Sequence, residues 1–389
     1  MPISPSSPSV VLSAAVMSHP DRRACAQRVL DALALPGAAL ALDPDPDGPP
    51  SSLRSSQVAF SLAGAAESTH HLVLQDDVRL SDDFLESVRS AVESHPDAAL
   101  ALFVEWGSRT ACLARWAVFA GAGAVPVINP YMPTLGMVLP RELAVEMGAF
   151  MQGADGRSDD RAALAFLRGR GIRTLATVPN LVEHRELASL KGNGEHGARH
   201  AVCFAREGAR FGAEVLEVPP LLPFLRWNTG TAVAVDPADD VPESHRPLLE
   251  VLVEWGATEP ELRREFREGG FPGAVGEIAA DGASAGEGAD PLFDTWLTAV
   301  ACGAVQERHW PGTVAWLRDR WDEPWVVRAL GTFAPGALRL FADTERLVAR
   351  AEESAPAVLA AMEYGTRFEG VGPPARPAGK PVVPHGPRP

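Results

Sequence analysis

The sequence predicts an α/β fold, a mainly parallel sheet flanked by helices in the first half of the chain and a helical part after it. Three observations predict it. Short apolar runs alternate with amphipathic stretches through the N-terminal half, as successive βα units require. After about Val218 the strand signal fades and helical segments follow one another. The chain has 389 residues, 46% of them hydrophobic, which is too long for one ordinary domain and supplies ample apolar material for buried cores. The expected division is a sheet-bearing catalytic domain at 1–215, a helical domain at 216–369 and a Pro/Gly-rich tail at 370–389.

Taken in order, the strands are expected at 10–16, 38–42, 71–74, 99–104 and 172–178, each a run of apolar residues bounded by polar or turn-forming ones. Helices are expected between them at 21–35, 53–65, 82–93, 140–150 and 159–170, several opening with Ser, Asp or Pro where a first turn needs a cap. The later helices are expected at 244–255, 259–266, 291–306 and 338–362. The small, acidic stretch at 279–290 reads as a mobile loop. From Gly370 onward, Pro and Gly dominate without apolar periodicity, so burial cannot offset the entropy of ordering, and a disordered tail is expected.

Charge and composition exclude several classes. Lys+Arg of 35 against Asp+Glu of 50 leaves a formal charge of -15, with no basic run to attract a phosphate backbone, so no nucleic-acid partner is expected. The start, MPISPSSPS, carries no basic leader, and the apolar run from Val10 ends at His19, Pro20, Asp21, Arg22 and Arg23. No stretch approaches the roughly 20 apolar residues of a membrane span. Cys25, Cys112, Cys203 and Cys302 lack CxxC spacing. A cytoplasmic protein is expected.

The segment HHLVLQDDVRLSDDF carries the chemistry. There an apolar strand ends in two adjacent carboxylates, Asp76 and Asp77, at the end of a sheet strand where open α/β folds bind ligands. Hard oxygen ligands suit Mg²⁺ or Mn²⁺ bridging a diphosphate. The same pair is also what a turn, or the cap of a helix near Ser81, looks like. Two further pieces follow downstream. One is Ser158-Asp159-Asp160 ahead of RAALAFLRGRG, which also reads as a helix N-cap with acids at the positive end of the dipole. The other is PNLVEH followed by SLKGN, with His184 and Lys191.

In this order the pieces resemble the GT-A glycosyltransferases, bacterial family-2-like members in particular, over residues 9–204. The resemblance implies a Rossmann-like nucleotide-sugar-binding domain, an Mn²⁺ or Mg²⁺ cofactor, a nucleoside-diphosphate sugar donor with UDP-sugars favoured, and an acceptor hydroxyl. It assigns metal ligation to Asp77 and His184, and a donor-ribose or metal-bound-water contact to Asp76. The opening VVLSAAVMSHPDRR is similar to the donor-binding start of such enzymes, which places His19 and Arg22 there. Asp43 stands where the family often carries an acid toward the base. Lys191 is placed at the leaving diphosphate, and Asp160, with Asp159 beside it, at the general base of an inverting transfer. The motif here reads Gln75-Asp76-Asp77, without an acid on both sides of a spacer.

Between the motifs, Trp106, Trp116, Tyr131 and Pro133 match nothing. Trp116 is expected in a core, and Trp106 is open between core and sugar pocket. The run HWPGTVAWLRDRWDEPW is read chiefly as packing, with an exposed subset available for an acceptor or for homo-oligomer formation. Two alternatives stand beside the transferase. A nucleotidyltransferase normally shows a Gly-rich phosphate loop after the first strand, where this chain has MSHPDRR. A non-catalytic nucleotide-binding or scaffold protein would use Asp76 and Asp77 only as a turn.

Overall fold

A computed structural model of the chain describes residues 9–65, 67–187, 196–238, 244–271, 276–278 and 290–368. Lys191, the predicted tail and all but the last residue of the predicted loop at 279–290 lie outside them.

The strands of the first half are β1 (Leu12–Ser18), β2 (Ala39–Leu42), β3 (His70–Gln75), β4 (Val78–Leu80), β5 (Ala99–Ala101), β6 (Ala124–Pro126), β7 (Gly136–Pro140), β8 (Thr174–Thr177) and β9 (Val182–His184). Seven form one sheet in the order β2-β1-β3-β7-β5-β8-β6. β1 runs parallel to β2 and β3, and β5 runs parallel to β8. β7 opposes β3 and β5, and β6 opposes β8. The five strands expected from the sequence are therefore the five that share a direction. β1, β3, β5 and β8 are mostly buried on both faces, as helix-covered parallel strands require, whereas the edge strand β2 buries only Ala41.

The register Met17↔Gln75 between β1 and β3 sets Ser18 beside Asp76 at the carboxyl ends of two neighbouring strands. A separate ribbon pairs β4 antiparallel with β9, Val78 opposite His184. Helices α1 (Arg23–Leu33), α2 (Leu53–Ser61), α3 (Phe84–Ser94), α5 (Arg141–Gln152) and α6 (Asp159–Gly169) lie where periodicity placed them, within a few residues. α4 (Thr110–Ala120) was not expected. Nine of its eleven residues are buried, so it has no polar face to advertise a helical period.

The second part departs from an all-helical reading. A hairpin, β10 (Leu222–Arg226) and β11 (Thr231–Val235), with β12 (Arg246–Pro247) forms a small antiparallel sheet. Pro219, Pro220 and Pro223 disguise it. The helix expected at 244–255 is confined to α7 (Leu248–Glu254), starting after Pro247. α8 (Glu259–Gly269) and the buried α9 (Pro291–His309) match expectation. α10 (Thr313–Arg318), α11 (Pro324–Gly331) and α12 (Phe333–Leu338) follow. The single helix expected at 338–362 is instead α13 (Thr344–Ala349), a 3₁₀ turn at Ala351–Ser354 and α14 (Ala355–Gly365). Asp343 caps the first of these by accepting from Arg346 N at 3.1 Å, and Pro356 opens the last.

The helical part shares a core with the sheet. Trp116 of α4 meets Trp310 edge-on, their ring centroids 5.8 Å apart. The buried Arg115 donates to the carbonyls of Trp106 and of Ala329 in α11, both at 3.0 Å.

Candidate functional site

β3 ends at Gln75, and the next two residues form the turn into β4. Asp76 and Asp77 are thus both a turn and a carboxylate pair at the carboxyl end of a central strand. Both are buried. Ser18 Oγ donates to Asp76 Oδ2 at 2.5 Å. From the start of α1, Arg22 Nη1 lies 3.4 Å from Asp76 Oδ1 and 3.4 Å from Asp77 Oδ2. β9 brings His184, whose Nε2 stands 3.6 Å from Asp77 Oδ2. Arg199 Nη2 lies 3.3 Å from the same imidazole nitrogen. Glu186 stands 3.6 Å from His184 Nδ1 and accepts from Arg199 N at 3.0 Å.

Proton affinities diverge within this cluster. Burial, the neighbouring Asp77 charge and only partial relief from Ser18 and Arg22 push the Asp76 carboxyl above its ordinary value. Burial would push Asp77 up as well, but the His184 contact and the charges of His184, Arg22 and Arg199 outweigh it and hold Asp77 low. Burial works against protonation of His184, yet Asp77 and Glu186 override it and raise the imidazole to about 9. Without a metal, Asp77 and His184 therefore form a carboxylate–imidazolium pair at neutral pH.

Asp77 Oδ1 is buried with no hydrogen-bond partner, whereas His184 Nδ1 faces Glu186 at 3.6 Å. Among the described residues no group of three or more His, Cys, Asp or Glu side chains is disposed to hold a metal ion. The donor set fits a hard cation that takes most of its ligands from phosphate and water, and does not make a closed protein cage. A metal at His184 must displace its proton, so affinity would rise with pH.

The remaining expected residues are placed as follows. His19 Nδ1 accepts from Asp21 N at 3.2 Å and its Nε2 reaches the Pro46 carbonyl at 3.2 Å, so it shapes the turn ahead of Arg22. Asp43, at the end of β2, is gripped by Arg54 Nε at 2.7 Å and Nη2 at 2.8 Å. Burial opposes ionisation of Asp43, but Arg54 and the Asp45 amide hold it below its ordinary value. Asp159 is buried and accepts from Ser52 Oγ, tying α6 to the start of α2. Asp160 is half-buried, and Ser158 Oγ and Arg161 N both donate to its Oδ1. Ser158 thus bonds the acid and not the helix amides, contrary to its reading as a side-chain cap.

Tyr131 lies between β6 and β7 in the chain. Burial and the charge of Glu105 push its hydroxyl well above the ordinary value, with Arg339, Asp160 and Arg199 also within electrostatic reach. Trp106 is buried, its ring 4.8 Å edge-on from His200 and its Nε1 donating to the Ala198 carbonyl at 3.0 Å. His200 in turn stands 3.8 Å from Glu186, which links Trp106 indirectly to the cluster. Trp116 lies in the core. Arg199, Glu186, Ser18, Glu105 and Arg339 were not expected. The β1–β3 register brings in Ser18, the segment after β9 brings Glu186 and Arg199, and the approach of the helical part brings Arg339 to Glu105; none of these pairings leaves a local sequence signal.

The fold is α/β, and the carboxylate cluster stands at the carboxyl end of its sheet, where open α/β folds bind ligands. No family model matches the chain, and no curated protein matches it. Among solved structures it is similar to a mannose-1-phosphate geranyltransferase from Thermus thermophilus, at 13% identity and a TM-score of 0.21. That likeness covers 43% of this chain and 58% of the other, and at this score it carries no argument about activity. Among the described residues no helix is long and apolar enough to cross a membrane.

Proposed function

We propose that the chain is a transferase acting on a nucleoside-diphosphate sugar, a UDP-sugar first, and passing the sugar to an acceptor hydroxyl. The observation that carries this reading is the convergence of Asp76, Asp77, Arg22, His184 and Arg199 where β1 and β3 end. Two arginines beside two carboxylates suit a diphosphate better than a neutral ligand, because guanidinium groups match phosphate oxygens in pairs. Asp77 and His184 would hold Mn²⁺ or Mg²⁺ together with the diphosphate. A cation bound there supplies charge neutralisation of the leaving group.

The other residues act around this centre. Ser18 fixes Asp76 toward the ribose side. Arg54 orients Asp43 and shares its charge with the base region. Asp160 is the candidate general base. Both of its hydrogen bonds fall on Oδ1, and Oδ2 is the atom assigned to the acceptor proton. Attack from the face opposite the diphosphate inverts the anomeric centre. Asp159, held by Ser52, positions the first turn of α6 that carries Asp160.

The test is calorimetric titration of UDP and GDP, with and without Mn²⁺, into the wild type, Asp77→Ala and Asp160→Asn. Binding that needs metal, disappears in Asp77→Ala and persists in Asp160→Asn is expected. Asp160→Asn should lose about 10²–10⁴-fold in transfer rate. No binding of either nucleotide by folded wild type overturns the donor site. Metal-independent binding without turnover would favour a scaffold. Cleavage of a nucleotide sugar by pyrophosphate, without transfer, would favour a nucleotidyltransferase.

A further inference from the structure

A second concavity of about 580 Å³ opens between α1, the β4 strand and the start of α3. Four arginines line it: Arg28 on α1, Arg79 on β4, Arg89 on α3, and Arg185 just past β9. We propose that this groove is a second anion site, which takes a phosphate or diphosphate group separately from the donor cleft.

Charge is the first support. The chain carries a formal -15, yet among the described residues none of these four guanidinium groups makes an ion pair. Arg28 donates to Cys25 Sγ at 3.1 Å, a weak acceptor. Arg79 lies 4.7 Å over the Phe204 ring, a contact that leaves its N–H groups without an anionic partner. Three carboxylates, Asp82, Asp83 and Glu86, line it as well, one fewer than the arginines. Glu86 is held by Arg210, and the Asp83 side chain packs beside Gly208.

A buried hydroxyl is the second, independent support. Ser81 lines the groove, is 6% exposed, and its Oγ has no hydrogen-bond partner. An orphaned buried hydroxyl is destabilising unless a ligand completes it. The third support is α3, whose N-terminus opens here. Its N-cap, Asp83, sits at φ 50° and makes no side-chain capping bond, so the first-turn amides and the positive end of the dipole remain for an anion. Four forked donors, one hydroxyl and a helix start together match the several acceptor oxygens of a phosphate.

The groove is joined to the donor cleft by backbone. Arg185 N donates to the Asp77 carbonyl at 2.7 Å, and Val78 pairs with His184 in the ribbon. An anion in the groove therefore braces the two residues that face the donor.

Calorimetric titration of the full chain with inorganic pyrophosphate, in saturating UDP and without it, tests the proposal. The wild type is expected to bind in both conditions, Arg28→Ala/Arg89→Ala to bind at least about tenfold more weakly, and Ser81→Ala about threefold more weakly. Should the alanine pair fail to fold, Arg28→Lys/Arg89→Lys keeps the point charges, loses the forked donors, and is expected to weaken binding in the same direction. Inorganic phosphate and a sugar 1-phosphate, run as separate arms, distinguish a free anion from a phosphorylated metabolite. Either one binding through Arg28 and Arg89 supports the site. Full affinity in the folded arginine variants, or no pyrophosphate binding by the wild type, overturns it whatever the UDP result.

Discussion

His71 of β3 is 1% exposed, five residues ahead of Asp76. Its Nε2 lies 3.0 Å from the Ala59 carbonyl, which only accepts, so this nitrogen carries the proton and Nδ1 accepts from Ser13 Oγ at 2.8 Å. Burial drives the imidazole down to about 4. The native state thus binds this proton less well than the unfolded chain, whose histidine titrates near 6.5. Its contribution to stability is complete above pH 6.5 and is lost as pH falls toward 4, up to about 3 kcal/mol in all. Urea unfolding at pH 7.5 and 4.5 should show a smaller acid loss in His71→Gln than in the wild type, and equal losses would sink this account. The sequence displayed the pair His70-His71 but not the enclosure that sets this value. Asp76 and Asp77 stood out because they end an apolar strand, and Arg22 and His184 were named only through the resemblance; the fold brings the four together. Arg199 and Glu186 were not legible, since a basic and an acidic residue in a polar loop carry no period.

Among the elements, α9 and α14 cross at two glycines. A Cβ at Gly303 would overlap the Met362 carbonyl, and one at Gly365 would overlap the Val300 carbonyl. The helices are close because neither contact has a side chain. Gly303→Ala should destabilise by about 2 kcal/mol, the overlap with backbone exceeding the roughly 1 kcal/mol gained in helix propensity. Gly169, at the end of α6, has open space for 4 Å around the position a methyl group would take, and Gly169→Ala should stabilise by about 0.5–1 kcal/mol. Thermal unfolding of the two variants checks the opposite signs, and a shared sign would refute the packing argument. The sequence marked α9 well, since it opens with Asp290 accepting from Phe293 N and with Pro291. It missed β7, because Gly136 and Pro140 bracket five residues that run into the next helix, and central position in a sheet is decided by partners far away in the chain.

For the whole molecule, the sheet and the helical part are locked by charge as well as by apolar contact. Arg339, 1% exposed along its side chain, is bonded to Glu105 past the end of β5 and stacks 4.4 Å over Trp227. Removing the arginine leaves a carboxylate buried without its partner, so Arg339→Ala should cost about 3–5 kcal/mol, and Arg339→Met with Glu105→Gln should recover much of it. Urea denaturation of both variants measures this; a single-variant loss under about 1 kcal/mol would show that water already serves Glu105. The α/β class and the five co-directed strands were legible because parallel strands are continuous apolar runs. The union of the two parts was not, because no local pattern announces an ion pair between residues 105 and 339. That union also bears on how such a chain can be recombined. A sheet-bearing half grafted onto a different helical partner would take with it an anion with no counter-ion. Inheritance of the two halves is therefore coupled, and a viable exchange needs a cation at the place of Arg339 or the loss of Glu105 in the same event.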